Sequence, residues 1–497
     1  MKRTDKDLIP DIPNQTPDYY CTWQTQLYAT SDGKPTGQRA AIGERALFDQ
    51  ETPYGWAYFF EQARGDLFLV MDDSWDVPPS DDLSYCGSLQ VDREKFPEAT
   101  RDAASNAEAM KRLADRVKAL GWRGLGGWIC AQESEHFIGN STPEEYWAER
   151  IREANAAGIS FWKVDWGEKG LDLSFRRMLT DLAHEHAPQL VVEHACINEA
   201  VPYSDVFRTY DVPAILSIPM TMRKLKECLV GNTAIPGYMG LVNCEDEPYM
   251  AAAGGLSMGI MRHPYVGALP NGKADMSFPA LHRNIKTKLF EVIRATRWHR
   301  IAPAFAADDS SLHIDEHTMT DDWRFERLED EIESWWLKNG SLFDRMDEGG
   351  MAVSAPAAIT RGIALPVIAP DENGHIPYAI ASRNPNGVAA IATLGRTYGR
   401  TYEIPRCNVT LDSGDATLIG IFGSYKSLTL STSHTAMKAV LMQDLAGKTA
   451  YDVTEEVSIT NGQLTIPGEL IDKIGTEAQP TSDTSEPGVV VQLVLAS

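Results

Sequence analysis

Residues 158–170 read GISFWKVDWGEKG, an apolar run that closes abruptly on a lysine and an aspartate. Ile159, Phe161, Trp162 and Val164 supply the bulk and β-propensity of a buried strand, so Lys163 and Asp165 arrive at its C-terminal end. Alternation along a strand sends residues two apart to the same side, and the two side chains can therefore face one cavity together. The ends of barrel strands are where α/β enzymes keep their chemistry. An ion pair capping a strand would read the same way, so the rest of the chain has to decide.

Working outward, the helix before this strand carries its own start and stop. Thr142 is an N-cap, Pro143 takes the first helical position, Glu145 completes a capping box, and Gly158 ends the last turn. Strands are read at 19–25, 67–71 (LFLVM), 124–129, 158–165, 190–192 closing on Glu193 and His194, 206–207 closing on Arg208, 237–242 and 255–261. Helical periodicity runs through 107–120, 173–187 and 286–299. Strands alternating with helices predict a (β/α)8 TIM barrel within residues 1–350, because parallel neighbours need crossover helices. Residues 308–345 read as a connecting helical segment, with Trp335 and Trp336 as anchors. From residue 351 short strands separated by Gly, Asn, Asp and Pro predict a C-terminal antiparallel β-sandwich domain over 351–497.

Composition narrows the function. The formal charge of -24 is spread along 497 residues without a long single-sign block, which argues against nucleic acid or an anionic membrane as a partner. No segment approaches ~18 uninterrupted apolar residues and the first residues lack an apolar export core, so a soluble cytoplasmic protein is expected. Nothing in the sequence opposes a homo-oligomer. The seven cysteines are scattered without metal-finger spacing and read as reduced, mostly buried thiols.

The strand ends gather acids and aromatics: Asp72 and Asp73, Trp128, Lys163 and Asp165, Glu193 and His194, Arg208 and Asp211. There is no HExxH, GxSxG, GxGxxG or P-loop, so no metal and no cofactor is expected. Carboxylates with aromatics suit glycoside chemistry, in which one acid protonates a leaving oxygen while another attacks or activates water. The acidic turn at 243–247 (NCEDE) reads first as a solvated loop and second as a loop lining the site. Arg262 and His263 suit either substrate contact or ion pairing at the rim.

Four motifs in order, LFLVMDDSW, CGSLQVDREKFPE, VKALGWRGLGGW and FWKVDWG, resemble the α-galactosidase group of glycoside hydrolases, families 27 and 36. The resemblance covers roughly residues 60–215 by motif and implies a barrel followed by a β-sandwich. It makes Asp165 the nucleophile and Asp211 the general acid/base, with Asp205 as a second candidate for the acid. Lys163, Asp72 and Asp73 would grip sugar hydroxyls, Trp75 would support the acidic turn, and Trp23 and Trp128 would line the pocket. The cysteine that follows the nucleophile closely in many family 27 members is replaced here by Trp166, and Asp211 lies three rather than four residues after Arg208; the Lys-Val-Asp-Trp wording at 163–166 leans towards family 36. After strand five EHACINE does not match the set that reads the sugar's 2-position, so Glu193, His194 and Glu199 all stand as candidates there. A retaining exo-acting α-glycosidase acting on a small oligosaccharide or glycoside follows, an α-galactosidase first. A raffinose-synthase-type transglycosylase, an enzyme for α-N-acetylgalactosaminides or β-L-arabinopyranosides, and a non-catalytic carbohydrate-binding protein are the alternatives.

Overall fold

The computed structural model describes residues 1–30, 35–51, 53–209, 217–262, 264, 288–324, 350–399, 401–434, 436–460 and 462–496. Eight parallel strands close into a barrel: β1 (Tyr19–Cys21), β2 (Phe68–Met71), β3 (Gly124–Ile129), β4 (Phe161–Val164), β5 (Val191–His194), β6 (Val206–Arg208), β7 (Leu241–Glu245) and β8 (Ser257–Ile260). β8 returns to pair with β1 through Tyr19↔Gly259. Helices α1 (Trp23–Thr30), α2 (Asn106–Ala119), α3 (Pro143–Ala157), α4 (Leu173–His186), α5 (Ser217–Leu229), α6 (Pro248–Gly254) and α7 (Leu289–Ile301) accompany the strands.

Local chemistry explains the well-defined elements. At α3 the Thr142 hydroxyl accepts from the Glu145 amide and Glu145 reaches back to the Thr142 amide, while Gly158 stops the helix at φ 71. Alternation then splits β4: Trp162 and Val164 join the core beneath the helices, and Phe161 joins Tyr19, Phe68 and Val70 in an apolar plug inside the barrel. Tyr19 and Phe161 meet there with ring centroids 4.9 Å apart. Burial of such side chains is worth about 1.5–3 kcal/mol each.

Three elements differ from the expectations. The first strand stops at Cys21, because Thr22 turns the chain into α1: its carbonyl accepts from Gln26, and its hydroxyl accepts from the Asp72 amide. The seventh strand starts at Leu241, not 237, since Gly237 and Gly240 hold left-handed turns at φ 101 and 60. The expected helix over 308–345 contains strands instead at Leu312–Ile314 and Thr318–Arg324. In the second, period-two alternation buries Met319 and Asp321, and Asp321 pairs with Arg396. Trp335 and Trp336 lie outside the described residues.

The C-terminal strands form a nine-stranded and a five-stranded sheet packed face to face, with a further four-stranded sheet. Ile391, Ile421 and Val491 from the larger sheet meet Val409, Leu428 and Leu464 from the smaller in one core. Pairing is mostly antiparallel, but Ala389–Leu394 runs parallel to Leu418–Phe422, and Asn408–Gly414 parallel to Ser427–Thr432. The strand Lys2–Arg3 supplies an edge of the larger sheet and Leu312–Ile314 the other. Between barrel and sandwich, Arg294 on α7 pairs with Asp444 at 2.8 Å, and Arg361 donates to the carbonyls of Gly254 and Gly255 at the end of α6.

Candidate active site

Above the apolar plug, the inward positions turn ionic. Lys163 Nζ lies 2.7 Å from Asp72 Oδ2, both side chains are buried, and the Cys21 thiol donates to the same oxygen at 2.6 Å. Asp165 follows the last residue of β4. Its Oδ1 is 2.6 Å from Arg208 Nη2, and its Oδ2 accepts the indole N–H of Trp128 at 3.0 Å. Cys196, at φ 72 in the loop after β5, brings its Sγ to 4.0 Å from Asp165 Oδ1.

The backbone around Asp165 is pinned from outside the barrel. Arg176 on α4 donates to the carbonyls of Asp165 at 2.8 Å, Val164 at 3.1 Å and Gly170 at 2.7 Å. Gly167, at φ 148, presses so closely on Ala131 that a Cβ there would sit 2.6 Å from its carbonyl carbon. Trp75 donates its indole N–H to the Trp128 carbonyl at 2.9 Å, which fixes the strand that carries Trp128. Trp166 is 37% exposed, with its ring centroid 5.5 Å from that of Trp128. Together they put an aromatic wall beside the carboxylate.

Environment separates the acids. Burial opposes charge on Asp165, but Arg208 and Lys163, with the Trp128 hydrogen bond and Arg176, outweigh it and hold the carboxyl below its ordinary value. Burial and then neighbouring Asp72 push Asp73 up to about 8, against a hydrogen bond from the Ser74 hydroxyl. At neutral pH Asp73 is therefore a carboxylic acid that can donate to a hydroxyl, while Asp165 is an anion.

Trp23 packs with Val70 and Met261 at the end of β1, inside the barrel. Glu193 also points inward, where Tyr19 Oη donates to its Oε1 at 2.9 Å and Asn243 Nδ2 to its Oε2 at 3.0 Å. His194, one residue later, is carried to the opposite face of β5. There it contacts Thr180 at 2.8 Å and Arg176 at 3.3 Å, and burial with the neighbouring Arg176 holds it well below its usual value. It does not join the site. Asp205 precedes β6 at the N-terminal end of the barrel, 2.8 Å from His184 and accepting from the Val192 amide, so it is removed as a candidate acid. Glu199 is exposed. Asp211 and His263 lie outside the described residues.

The acidic turn is not a solvated loop. Asn243 and Glu245 face into the barrel on β7, Asp246 and Glu247 are buried, and Arg262 lies 3.6 Å from Asp246 and 3.8 Å from Glu247. Tyr19 with Cys21, and Asn243 with Glu245, share the two-residue spacing that singled out Lys163 and Asp165. That spacing was the available signal for them. Among the described residues no group of three or more His, Cys, Asp or Glu is arranged to hold a metal ion.

No protein-family model and no curated protein matches the chain. Among solved structures it is similar to a GH36 α-galactosidase from Geobacillus stearothermophilus, at 16% identity over 37% of this chain and 28% of that one, TM-score 0.23. It is also similar to a putative α-galactosidase/melibiase from Bacteroides fragilis (11% identity, 98% of this chain and 80% of that one, TM-score 0.33). An Anoxybacillus α-amylase gives 9% identity over 98% of this chain and 100% of that one, TM-score 0.40. The chain thus spans just over a quarter of the first enzyme's length. All three are loose likenesses, and the assignment of chemistry rests on the residues at the barrel mouth.

Proposed function

We propose that the chain is a retaining exo-acting α-glycosidase, with α-galactosides as the first substrate class. The observation that carries this reading is Asp165: a carboxylate kept ionised by Arg208 and Lys163 at the C-terminal end of a barrel strand, beside an aromatic wall. A nucleophile that must attack an anomeric carbon needs that charge state.

In this reading Asp165 forms a bond to the anomeric carbon as the bond to the departing oxygen breaks, and Asp211 supplies the proton to that oxygen. Water, deprotonated by Asp211, then displaces Asp165 and releases the sugar with retained configuration. Asp72, Asp73 and Lys163 act on hydroxyls at the far end of the ring: Lys163 and neutral Asp73 donate, and Asp72 accepts. Trp128 and Trp166 offer apolar faces to the sugar's C–H surface.

The test is hydrolysis across a panel of p-nitrophenyl glycosides led by the α-D-galactopyranoside, with Asp165→Ala beside wild type. Turnover of the galactoside that the variant loses is expected. Turnover of another pyranoside alone would keep the nucleophile and change the sugar. Products that appear only with excess sugar acceptor would make the enzyme a transglycosylase. Near-wild-type activity in the variant would overturn the mechanism.

A further inference from the structure

The rim of the barrel mouth carries three further rings that the proposed reaction does not use. Tyr85 ends a short helical turn, Leu83–Tyr85, in the loop after β2, and His136 and Phe137 lie in the loop after β3. The Tyr85 and His136 rings stack with centroids 4.1 Å apart, and Phe137 meets Tyr85 edge-on at 6.2 Å. Phe137 is 40% exposed and the His136 side chain 43%. A single exposed ring would mean little, since apolar atoms cover much of any protein surface. Three joined rings at the C-terminal face of a barrel are a different matter.

Two features set this patch apart from ordinary surface. The first is continuity with the site. Tyr85 packs on the buried cluster of Val77, Cys86, Trp128 and Cys130, and that Trp128 is the residue whose indole N–H reaches Asp165 at 3.0 Å. The rings thus run outward from the carboxylate along the rim.

The second feature is rigidity. Ser134, fully buried between the two loops, donates its hydroxyl to the Ser84 carbonyl at 2.8 Å, and the Glu135 amide donates to the same oxygen at 3.2 Å. The Ser134 amide donates to Tyr146 Oη at 3.2 Å, which in turn donates to the Gly87 carbonyl at 2.7 Å. Glu133 accepts from the Trp147 indole at 2.8 Å and pairs with Lys169. Loops tied to each other and to α3 hold the exposed faces in one arrangement before any ligand arrives, which lowers the entropic cost of binding.

We propose that Tyr85, His136 and Phe137 form a platform for the departing sugar, so that the substrate is an oligosaccharide with a pyranose ring on the leaving oxygen. The proposal rests on Asp165 being the nucleophile. In that reading buried Asp72, Asp73 and Lys163 close on the far end of the bound sugar, and the departing oxygen points out towards the rim. A pyranose presents an apolar C–H face with hydroxyls around its edge. The platform offers the complement: ring faces of His136 and Phe137 for the C–H surface, and at the ring edge Ser84 Oγ, 2.7 Å from His136 Nε2, with the Asp82 carboxylate beside it.

The experiment compares kcat/KM on melibiose and raffinose with kcat/KM on α-D-galactopyranosyl fluoride, whose leaving group has no ring to seat. In Phe137→Ala the ratio of oligosaccharide to fluoride should fall about 2- to 13-fold, the range of one stacking contact. Phe137→Tyr keeps the ring and should restore the ratio. His136→Ala is the second variant and should lower the same ratio. A ratio that stays at the wild-type value in both alanine variants, or that falls as far in Phe137→Tyr as in Phe137→Ala, would overturn the platform. Turnover of the fluoride with neither oligosaccharide accepted would overturn it as well, and in each of these cases fluoride turnover keeps the glycosidase reading. If wild type turns over none of the three, the proposed function fails and calorimetric titration of raffinose decides the platform by itself. Affinity that is lower in Phe137→Ala than in wild type then supports a sugar seat; equal affinity, or no binding to wild type, overturns it.

Discussion

The two ends of the barrel both carry buried ion pairs, and they are built differently. At the N-terminal end each acid has its own partner: Asp18 with His299 at 2.6 Å, Asp66 with Arg300 at 2.7 Å, Asp205 with His184 at 2.8 Å. Their spare oxygens take backbone amides, as Asp18 does from Met258 and Asp205 from Val192. These pairs tie α7 and α4 to the strand starts. At the C-terminal end Arg208 is shared by Asp165, Glu193 and Glu245, and among the described residues no cation pairs with Asp73 that closely. Matched pairs satisfy charge and hold the fold. Carboxylates that share one cation are costlier to bury than matched pairs and persist where charge is put to use.

The largest effect should come from removing the proposed nucleophile. Asp165→Ala is expected to lower kcat by about 10⁴-fold or more while circular dichroism and Tm stay close to wild type. If instead the variant unfolds with little change in the activity of what remains folded, Asp165 belongs with the structural acids and the contrast between the two ends fails.

Arg208→Gln should act on both properties. Leaving buried carboxylates without their cation costs about 3–5 kcal/mol. Asp165 would also lose the strongest influence holding its value down, so its pKa rises and the acidic limb of the pH–rate profile moves to higher pH. Activity relative to wild type should therefore be worse at pH 5 than at pH 7. An acidic limb that stays put would show that Arg208 does not set the charge of Asp165.

At the opposite end, Asp66→Ala removes a carboxylate that binds Arg300 through both oxygens and accepts from the Asn14 amide. The side chain of Arg300 is 23% exposed, so the loss should fall near the lower end of about 3–5 kcal/mol. Chemical denaturation reads that loss, and kcat per folded molecule should not change. A change in kcat without loss of stability would mean that the N-terminal pairs are not merely structural.

How much of this was legible in the sequence follows from the range of each signal. β3 and α3 were readable because β-propensity, the Thr142 and Glu145 box and Gly158 all act within a few residues. The inward spacing of Lys163 and Asp165 was equally local. The face of β5 was not legible: Glu193 and His194 are adjacent and both polar, and only the closure of the barrel sends one to Arg208 and the other to Thr180. The polarity of 243–247 suggested a loop because a strand that lines an ionic barrel mouth violates the usual apolar pattern. There tertiary context overrides propensity. Asp205 was misplaced for the opposite reason, since it lies before a strand and not after it.

The smallest effect tests the rim. Trp166 is partly exposed, and its backbone, not its ring, secures the turn through hydrogen bonds from Ala131 and Cys130. Trp166→Ala should therefore keep the fold and the charge of Asp165, which depends on Arg208, Lys163 and Trp128. What it removes is one apolar face beside Trp128, and a stacking contact of about 0.5–1.5 kcal/mol corresponds to a KM raised about 2- to 13-fold with kcat little changed. A fall in kcat at constant KM would mean that the ring acts on the transition state, and would bring Trp166 into the same class as the acids it borders.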